Sequence, residues 1–390
     1  MTHITEEVSK EVLRDAFDRN FESQKEIGAS FSLWEGDKEY VSFDWGTRDR
    51  EGHTPWDAST LVLIWSATKG PAVACVLHAL EEADISLHEP VASVWPEFGK
   101  NGKASISFAQ LLSHQSGLSF LEGPPVSSLD RSDIIQRVEN QSPAWEPGTR
   151  HGYSPRLFGF LLDEVVRRLH HGESLGSYWR RIFAEPLALD IWMGLPEELW
   201  DRVAPIYPPP LDKNASKDAF DHALADPHSL TFKAFANPTG SGAISAMNQP
   251  AWRKASIPSF GGIANARSLA KFYAHLATQS ASSPSVSPSF FKAATTLFSE
   301  GMDSILQVPT AFSAGFMRNP SGMHRFGTSP RAFGHPGAGG SLAFADPDRG
   351  WGFAYVMNQM GTGAVPTGRA KTLLSTLYPI NGPRTFLSAN

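Results

Sequence analysis

A serine followed three residues later by a lysine is the smallest arrangement in this chain that can make a nucleophile at neutral pH. Ser66 and Lys69 form such a pair, delivered by the apolar run Leu61-Val62-Leu63-Ile64-Trp65 to the start of a predicted helix. At helical rise the ammonium lies one turn beyond the hydroxyl on the same face, within hydrogen-bond reach. Unpaired N–H groups in a first helical turn favour developing negative charge. The continuation Val73, Val76, Leu77 and Leu80 keeps a helical apolar period, so the helix is expected to be buried. A lysine held there loses basicity and suits the role of proton acceptor for the serine. The same spacing recurs at Ser268/Lys271 and Ser289/Lys292. The first of these is expected on the solvated face of a helix with the stripe Leu269, Phe272, Tyr273 and Leu276, and Ser289 is expected to cap a helix after a Ser/Pro-rich loop.

A serine–lysine pair needs a proton shuttle and a site for an oxyanion, and two downstream stretches suit those tasks. Trp145-Glu146-Pro147-Gly148-Thr149-Arg150-His151-Gly152-Tyr153-Ser154-Pro155 is a turn-rich loop. It is expected to lead into a helix with Ser154 as N-cap and Pro155 at the first helical position, which would fix the Tyr153 phenol just outside the helix start. His335-Pro336-Gly337-Ala338-Gly339-Gly340 allows a ligand to approach the backbone closely and leaves N–H groups free to meet it.

The elements that must position these groups sit in a chain of 390 residues, 41% hydrophobic and 19% charged, enough for two domains around a substantial core. The net charge of -6 comes from 34 basic and 40 acidic residues without a long run of one sign, so neither nucleic acid nor an anionic membrane surface is an expected partner. A single cysteine, Cys75, excludes an intrachain disulfide and a cysteine-based zinc cluster, and its place on the Ser66 helix suggests a core thiol. His170-His171 are adjacent, His-Glu-x-x-His does not occur, and neither metal nor cofactor is expected. No run is long enough to span a bilayer, and Met1-Thr2-His3-Ile4-Thr5-Glu6-Glu7 lacks a signal-peptide pattern, so a cytoplasmic location is expected.

In chain order, residues 5–24 read as an amphipathic helix, followed by a hairpin of Ala29–Trp34 and Tyr40–Trp45 around Glu35-Gly36-Asp37. Helix signals then dominate to about residue 200, carried by Phe108, Leu111 and Leu112, by Ile134, Ile135 and Val138, and by Leu157, Leu161, Val165 and Leu169. Periodicity fades between 205 and 260, through Pro208-Pro209-Pro210 and Asn237-Pro238-Thr239-Gly240-Ser241-Gly242, a length typical of loops that cover binding sites. Past a helix at 265–278, strands return at 332–335, 340–345 and 352–358, with a turn at Asp346-Pro347-Asp348-Arg349-Gly350, and helix signals resume near Arg369. The expected fold is α+β, an α/β sandwich. One antiparallel sheet is assembled from both chain ends and flanked by the terminal helices, with residues 1–85 and 230–390 forming this unit. Residues 86–229 form an inserted helical domain with a loop-rich lid.

The ordered set Ser66-x-x-Lys69, Tyr153-Ser-x and His335-x-Gly337 resembles the serine β-lactamase and penicillin-binding-protein superfamily, whose signatures include Ser-x-x-Lys and Lys-Thr-Gly. Leu111-Leu112-Ser113-His114-Gln115-Ser116-Gly117-Leu118 looks like that group's segment after the nucleophile helix, and Phe260–Leu269 and Phe333–Met360 are similar to its esterase-like members. The likeness covers residues 25 to 380. Because the third signature begins with histidine, it is nearest to the class C-like carboxylesterases called family VIII. Two departures separate the chain from a β-lactamase. Pro155 stands where class C enzymes carry an asparagine amide, and His335-Pro336 replaces the lysine and threonine that help bind the antibiotic carboxylate.

The resemblance implies a β-lactamase/transpeptidase-like fold with Ser66 as nucleophile, Lys69 as base and Tyr153 as proton shuttle. It implies an oxyanion hole from the N–H groups of Ser66 and Ala338, with Gly337 beside it, and a supporting role for His335 toward Tyr153 or the substrate. Phe120, Trp145, Trp252 and Trp351 are candidates for an aromatic wall around a small ester substrate. A β-lactamase, a D-amino-acid peptidase or amidase and an acyltransferase share the same acyl-enzyme. A non-enzymatic sensor acylated once is the remaining alternative on this fold. An α/β-hydrolase would need a Gly-x-Ser-x-Gly elbow, and no serine has that setting. Oligomeric state is not legible in the sequence.

Overall fold

The computed structural model describes residues 8–210, 216–240, 242–278, 285–363 and 368–379. Residues 5–7 of the expected first helix and Ser241 lie outside these. The helices of eight or more residues are α1 (Lys10–Ser23), α2 (Lys69–Glu82), α3 (Arg131–Asn140), α4 (Phe158–Leu169), α5 (Ala266–Ala277), α6 (Pro288–Thr295) and α7 (Gly368–Leu377). The strands are β1 (Gly28–Glu35), β2 (Lys38–Gly46), β3 (Val62–Trp65), β4 (Ile191–Trp192), β5 (Gly262–Ala264), β6 (Ser299–Met302), β7 (Pro309–Phe312), β8 (Met317–Arg318), β9 (Phe333–Pro336), β10 (Leu342–Asp346) and β11 (Trp351–Met357). The fold is α+β.

Eight strands form one antiparallel sheet in the order β2-β1-β11-β10-β9-β8-β7-β6, so the N-terminal hairpin docks on the last strand of the chain. The two faces differ in side-chain size because alternate residues point opposite ways. Phe31, Leu33, Leu342, Phe344, Phe353 and Tyr355 face a core shared with α1 and α7. Ala343, Ala345, Ala354 and Val356 face α5. These small side chains let α5 approach closely: a Cβ at Gly352 would lie 2.0 Å from Ala270 O and 2.3 Å from Ala274 N. The sheet is thus covered on both faces, by the terminal helices on one and by α5 on the other.

A second, three-stranded sheet, β3-β5-β4, lies outside this layer and carries the nucleophile strand. Helix α2 leaves it and packs on α4, with every residue from Lys69 to Leu80 buried, Cys75 included. Residues 205–260 are less irregular than expected, with short helices at Ala219–Ala225, Leu230–Ala236 and Pro250–Lys254.

Candidate active site

The turn that presents Ser66 is built by conflict between strand and helix. Trp65 ends β3 with φ 50° and ψ -132°, a conformation bulky L-residues rarely adopt, and Ser66 opens a 3-10 turn that continues into α2. Thr68 Oγ1 locks the corner by donating to Trp65 O and accepting from Gly262 N at 2.9 Å. A Cβ at Gly262 would lie 2.5 Å from Thr68 Oγ1, so this bond requires glycine.

Lys69 is completely buried, and its Nζ has three oxygen neighbours: Pro155 O at 2.9 Å, Ser259 O at 2.8 Å and Ser66 Oγ at 3.2 Å. None is a carboxylate, and burial alone pushes the amine well below the usual lysine range. Tyr153 closes the cluster, with its ring centroid 4.8 Å from Lys69 Nζ. Burial raises its phenol, the Ser66 hydroxyl acts in the opposite direction as a hydrogen-bond partner, and Asp303 adds to the rise.

Tyr153 is held differently from the sequence expectation. Ser154 is not an N-cap, and the helix begins at Phe158, three residues beyond Pro155. The segment is pinned by tertiary contacts instead. Pro155 O faces Lys69, Arg156 O accepts from Ser259 Oγ, and Arg156 Nη1 donates to Pro238 O at 3.0 Å. Ser259 Oγ also accepts from Gly159 N at 2.6 Å, capping α4 from a distant loop. Ser259 carries no local signal in the sequence because its partners Gly159, Arg156 and Lys69 lie 100, 103 and 190 residues away.

The glycine-rich stretch reaches the nucleophile from the large sheet. At Gly337 a Cβ would meet Ile64 O at 2.2 Å, and Ser341 Oγ donates to that carbonyl at 3.0 Å, drawing the end of β9 against the end of β3. Ala338, exposed, begins a turn just as Ser66 does, and first-turn N–H groups have no partner within their own turn. His335 is buried beside Tyr153, ring centroids 5.7 Å apart. Its Nδ1 donates to Pro336 O at 2.6 Å rather than bonding Tyr153, and its Nε2 has no partner among the described residues. Burial, with Lys69 contributing, brings its pKa down to about 3.

The four aromatic candidates are all buried. Trp351 is a core residue, 1% exposed, packed on Tyr378 at the hairpin end of β11, opposite Glu35 and Asp346. Trp252 is buried against Phe260 and supports the Ser259 loop from behind. Phe120 is buried in the cluster that contains Tyr153, with Lys233 Nζ 5.4 Å from its ring. Trp145 is buried where a Cβ at Gly152 would touch it. These four aromatic side chains are buried, as their large apolar area favours.

The decoy pairs are structural, though not in the way expected. Ser268 is buried and its Oγ accepts from Asp190 N at 2.8 Å, while Lys271 Nζ donates to Leu187 O at 2.6 Å. The cap of α6 is Ser287, and Ser289 bonds Glu81.

Two further residues, His114 and Asp303, hold the Tyr153 segment. His114 packs 5.3 Å from the Tyr153 ring and accepts from Ser154 N at 3.3 Å, and burial holds its imidazole well below its ordinary pKa. Asp303 accepts from Tyr153 N at 3.0 Å. The signal for it was Asp303-Ser304-Ile305-Leu306, where an Asp side chain can accept from the next N–H groups in a turn.

The Beta-lactamase family model matches residues 13–377. The chain belongs to the Beta-lactamase family. Within this family it is 32% identical over 368 residues to "Esterase/beta-lactamase LipL" of Mycobacterium tuberculosis, covering 91% of this chain and 82% of the relative. A penicillin-binding protein homologue from Caulobacter crescentus superposes with a TM-score of 0.84 at 33% identity, covering 96% of this chain and 98% of that one. A family VIII carboxylesterase superposes with the same TM-score at 32% identity and the same coverage. The chain is a hydrolase of this family, as its esterase-named relatives support. Among the described residues no helix is long and apolar enough to cross a membrane.

Proposed function

We propose that this chain is a carboxylesterase that cleaves small, short-acyl esters through an acyl-enzyme on Ser66. The observation that carries the reading is the environment of Lys69. An uncharged amine has two hydrogens and one lone pair. Pro155 O and Ser259 O can only accept, so they take both hydrogens, and the lone pair is left for the Ser66 hydroxyl 3.2 Å away. The amine is thereby a base without a competing proton.

In acylation Ser66 Oγ bonds the ester carbonyl carbon as its proton passes to Lys69 Nζ. The oxyanion is met by the N–H groups of Ser66 and Ala338. Tyr153, still a phenol, donates its proton to the departing alkoxide oxygen and is reprotonated from Lys69, so the amine ends neutral. Deacylation is the reverse with water in place of the alcohol: Tyr153 and Lys69 take a proton from water as it attacks, and Ser66 Oγ leaves with that proton. Lys69 and Tyr153 titrate as a unit in this scheme.

Ester specificity is supported by what surrounds the pair. Pro155 offers no side-chain amide, and its carbonyl is engaged by Lys69. The lysine that would meet an antibiotic carboxylate is replaced by His335, which is uncharged at neutral pH. A carboxylate brought to this site would be desolvated without a cation. The test compares p-nitrophenyl acetate and butyrate with benzylpenicillin under one set of conditions. The expected kcat/KM for the esters exceeds that for the penicillin by about a hundredfold or more, as for a substrate whose added polar group the site cannot pair. Equal efficiency would replace the esterase reading with a β-lactamase one, and ester turnover limited to one equivalent would replace it with an acylated sensor.

A further inference from the structure

A buried polar network of Asp303, Thr310 and His151 holds the Tyr153 segment. Asp303 begins the connection between β6 and β7 and is completely buried. Its carboxylate accepts from Tyr153 N at 3.0 and 3.2 Å, Ile305 N at 2.8 Å, Leu306 N at 2.9 Å and Thr310 Oγ1 at 3.0 Å. Thr310 has a single proton and donates it to Asp303, so its oxygen accepts from His151 Nε2 at 2.8 Å. That bond fixes the tautomer of His151, which burial keeps uncharged against the pull of Asp303. A second strap joins the same two segments, Ser304 N donating to His151 O at 3.1 Å.

We infer that Asp303 is the positioning residue for Tyr153: its carboxylate grips the Tyr153 amide from the β6–β7 connection and fixes where the phenol stands. The groups facing Tyr153 from the other elements are Ser66 and Lys69 on the nucleophile turn, His114 at 5.3 Å and His335 at 5.7 Å. None of these carries negative charge. The groups facing Asp303 are His151, 4.0 Å from Oδ2, and the Arg325 guanidinium, which feels the carboxylate and donates to Pro309 O at 2.7 Å. Asp303 therefore acts on the reaction in two ways. It sets the height of Tyr153 relative to Ser66, and it keeps Tyr153 a proton donor while Lys69 remains the base. The kinetic consequence rests on the esterase reading; the placement of Asp303 does not.

Asp303→Asn is the informative variant because the network can reverse around it. The amide oxygen can retain the three backbone donors, its NH2 can donate to Thr310 Oγ1, and Thr310 can donate to His151 in its other tautomer. Tyr153 is followed by ultraviolet titration of phenolate, taken as the difference between each protein and the same protein carrying Tyr153→Phe. In the wild-type background Tyr153 is expected to ionise above the exposed tyrosines, and in Asp303→Asn at distinctly lower pH. The alkaline limb of kcat/KM is expected to move down with it and kcat to fall about tenfold, with KM within about twofold, as for loss of a group acting only in the transition state. Thr310→Val keeps the carboxylate and is expected to leave the Tyr153 titration high. Wild-type Tyr153 ionising with the exposed tyrosines would overturn the inference, whether or not Asp303→Asn folds. So would an unchanged titration in folded Asp303→Asn, or an equal shift in Thr310→Val. A titration shift in a protein without ester turnover would support the placement of Asp303 while removing the esterase reading.

Discussion

Replacing Lys69 with methionine isolates the protonation state on which the chemistry depends. In wild type the native amine is held well below the ordinary lysine range by burial, whereas in the unfolded chain it titrates near 10.4. Between those two values the unfolded chain binds one more proton than the native one, so native stability rises with pH. Where the native amine is neutral and the unfolded one charged, the slope is about 1.4 kcal/mol per pH unit. Lys69→Met lacks this proton and keeps every other titrating group. Methionine also leaves Pro155 O and Ser259 O without a donor, a pH-independent loss of about 1–3 kcal/mol each. Urea unfolding of both proteins at pH 7, 8 and 9 measures the difference. Wild type should gain on the variant by the stated slope. Parallel stability curves over that range would mean that Lys69 is an ammonium in the fold, and the base assignment would fail.

Lys69→Ala and Tyr153→Phe are each expected to lower kcat/KM for p-nitrophenyl butyrate nearly as much as the double variant, because they share one proton path; additive losses would contradict it. Ser268→Ala and Ser289→Ala should retain ester hydrolysis, while Ser268→Ala loses about 1–3 kcal/mol in urea unfolding by stranding Asp190 N. Gly352→Ala should lower stability by about 1–3 kcal/mol or more, since the new methyl meets the α5 backbone; thermal unfolding unchanged from wild type would refute the close packing of α5 on β11.

The fold's outline was legible where periodicity was strong. The strands Gly28–Glu35 and Trp351–Met357 and the helix α5 stand within one or two residues of their sequence readings. Strands β6, β7 and β8 escaped notice because they are two to four residues long and their burial comes from the sheet rather than from alternation. The site divides in the same way. Ser66 and Lys69 are local neighbours on one turn, so spacing alone placed them. Tyr153 was found from its loop, but the means of holding it was misread: Ser154 looked like a cap, whereas Ser259 and Asp303 do the holding from 100 residues or more away. Residue type cannot distinguish a pocket aromatic from a core one: Trp351 packs on Tyr378 at the hairpin end of β11, a place only the sheet register reveals.

The central claim is that Ser66 is acylated by a simple ester and released by water. Intact-mass measurement after mixing with p-nitrophenyl butyrate tests it most directly, sampled within the first turnovers and again after the substrate is consumed. The expected result is a transient butyryl adduct on the peptide containing Ser66, gone at the end of a multi-turnover reaction and absent in Ser66→Ala. Turnover by Ser66→Ala at the wild-type rate, or an adduct on any other residue during productive turnover, would contradict the account.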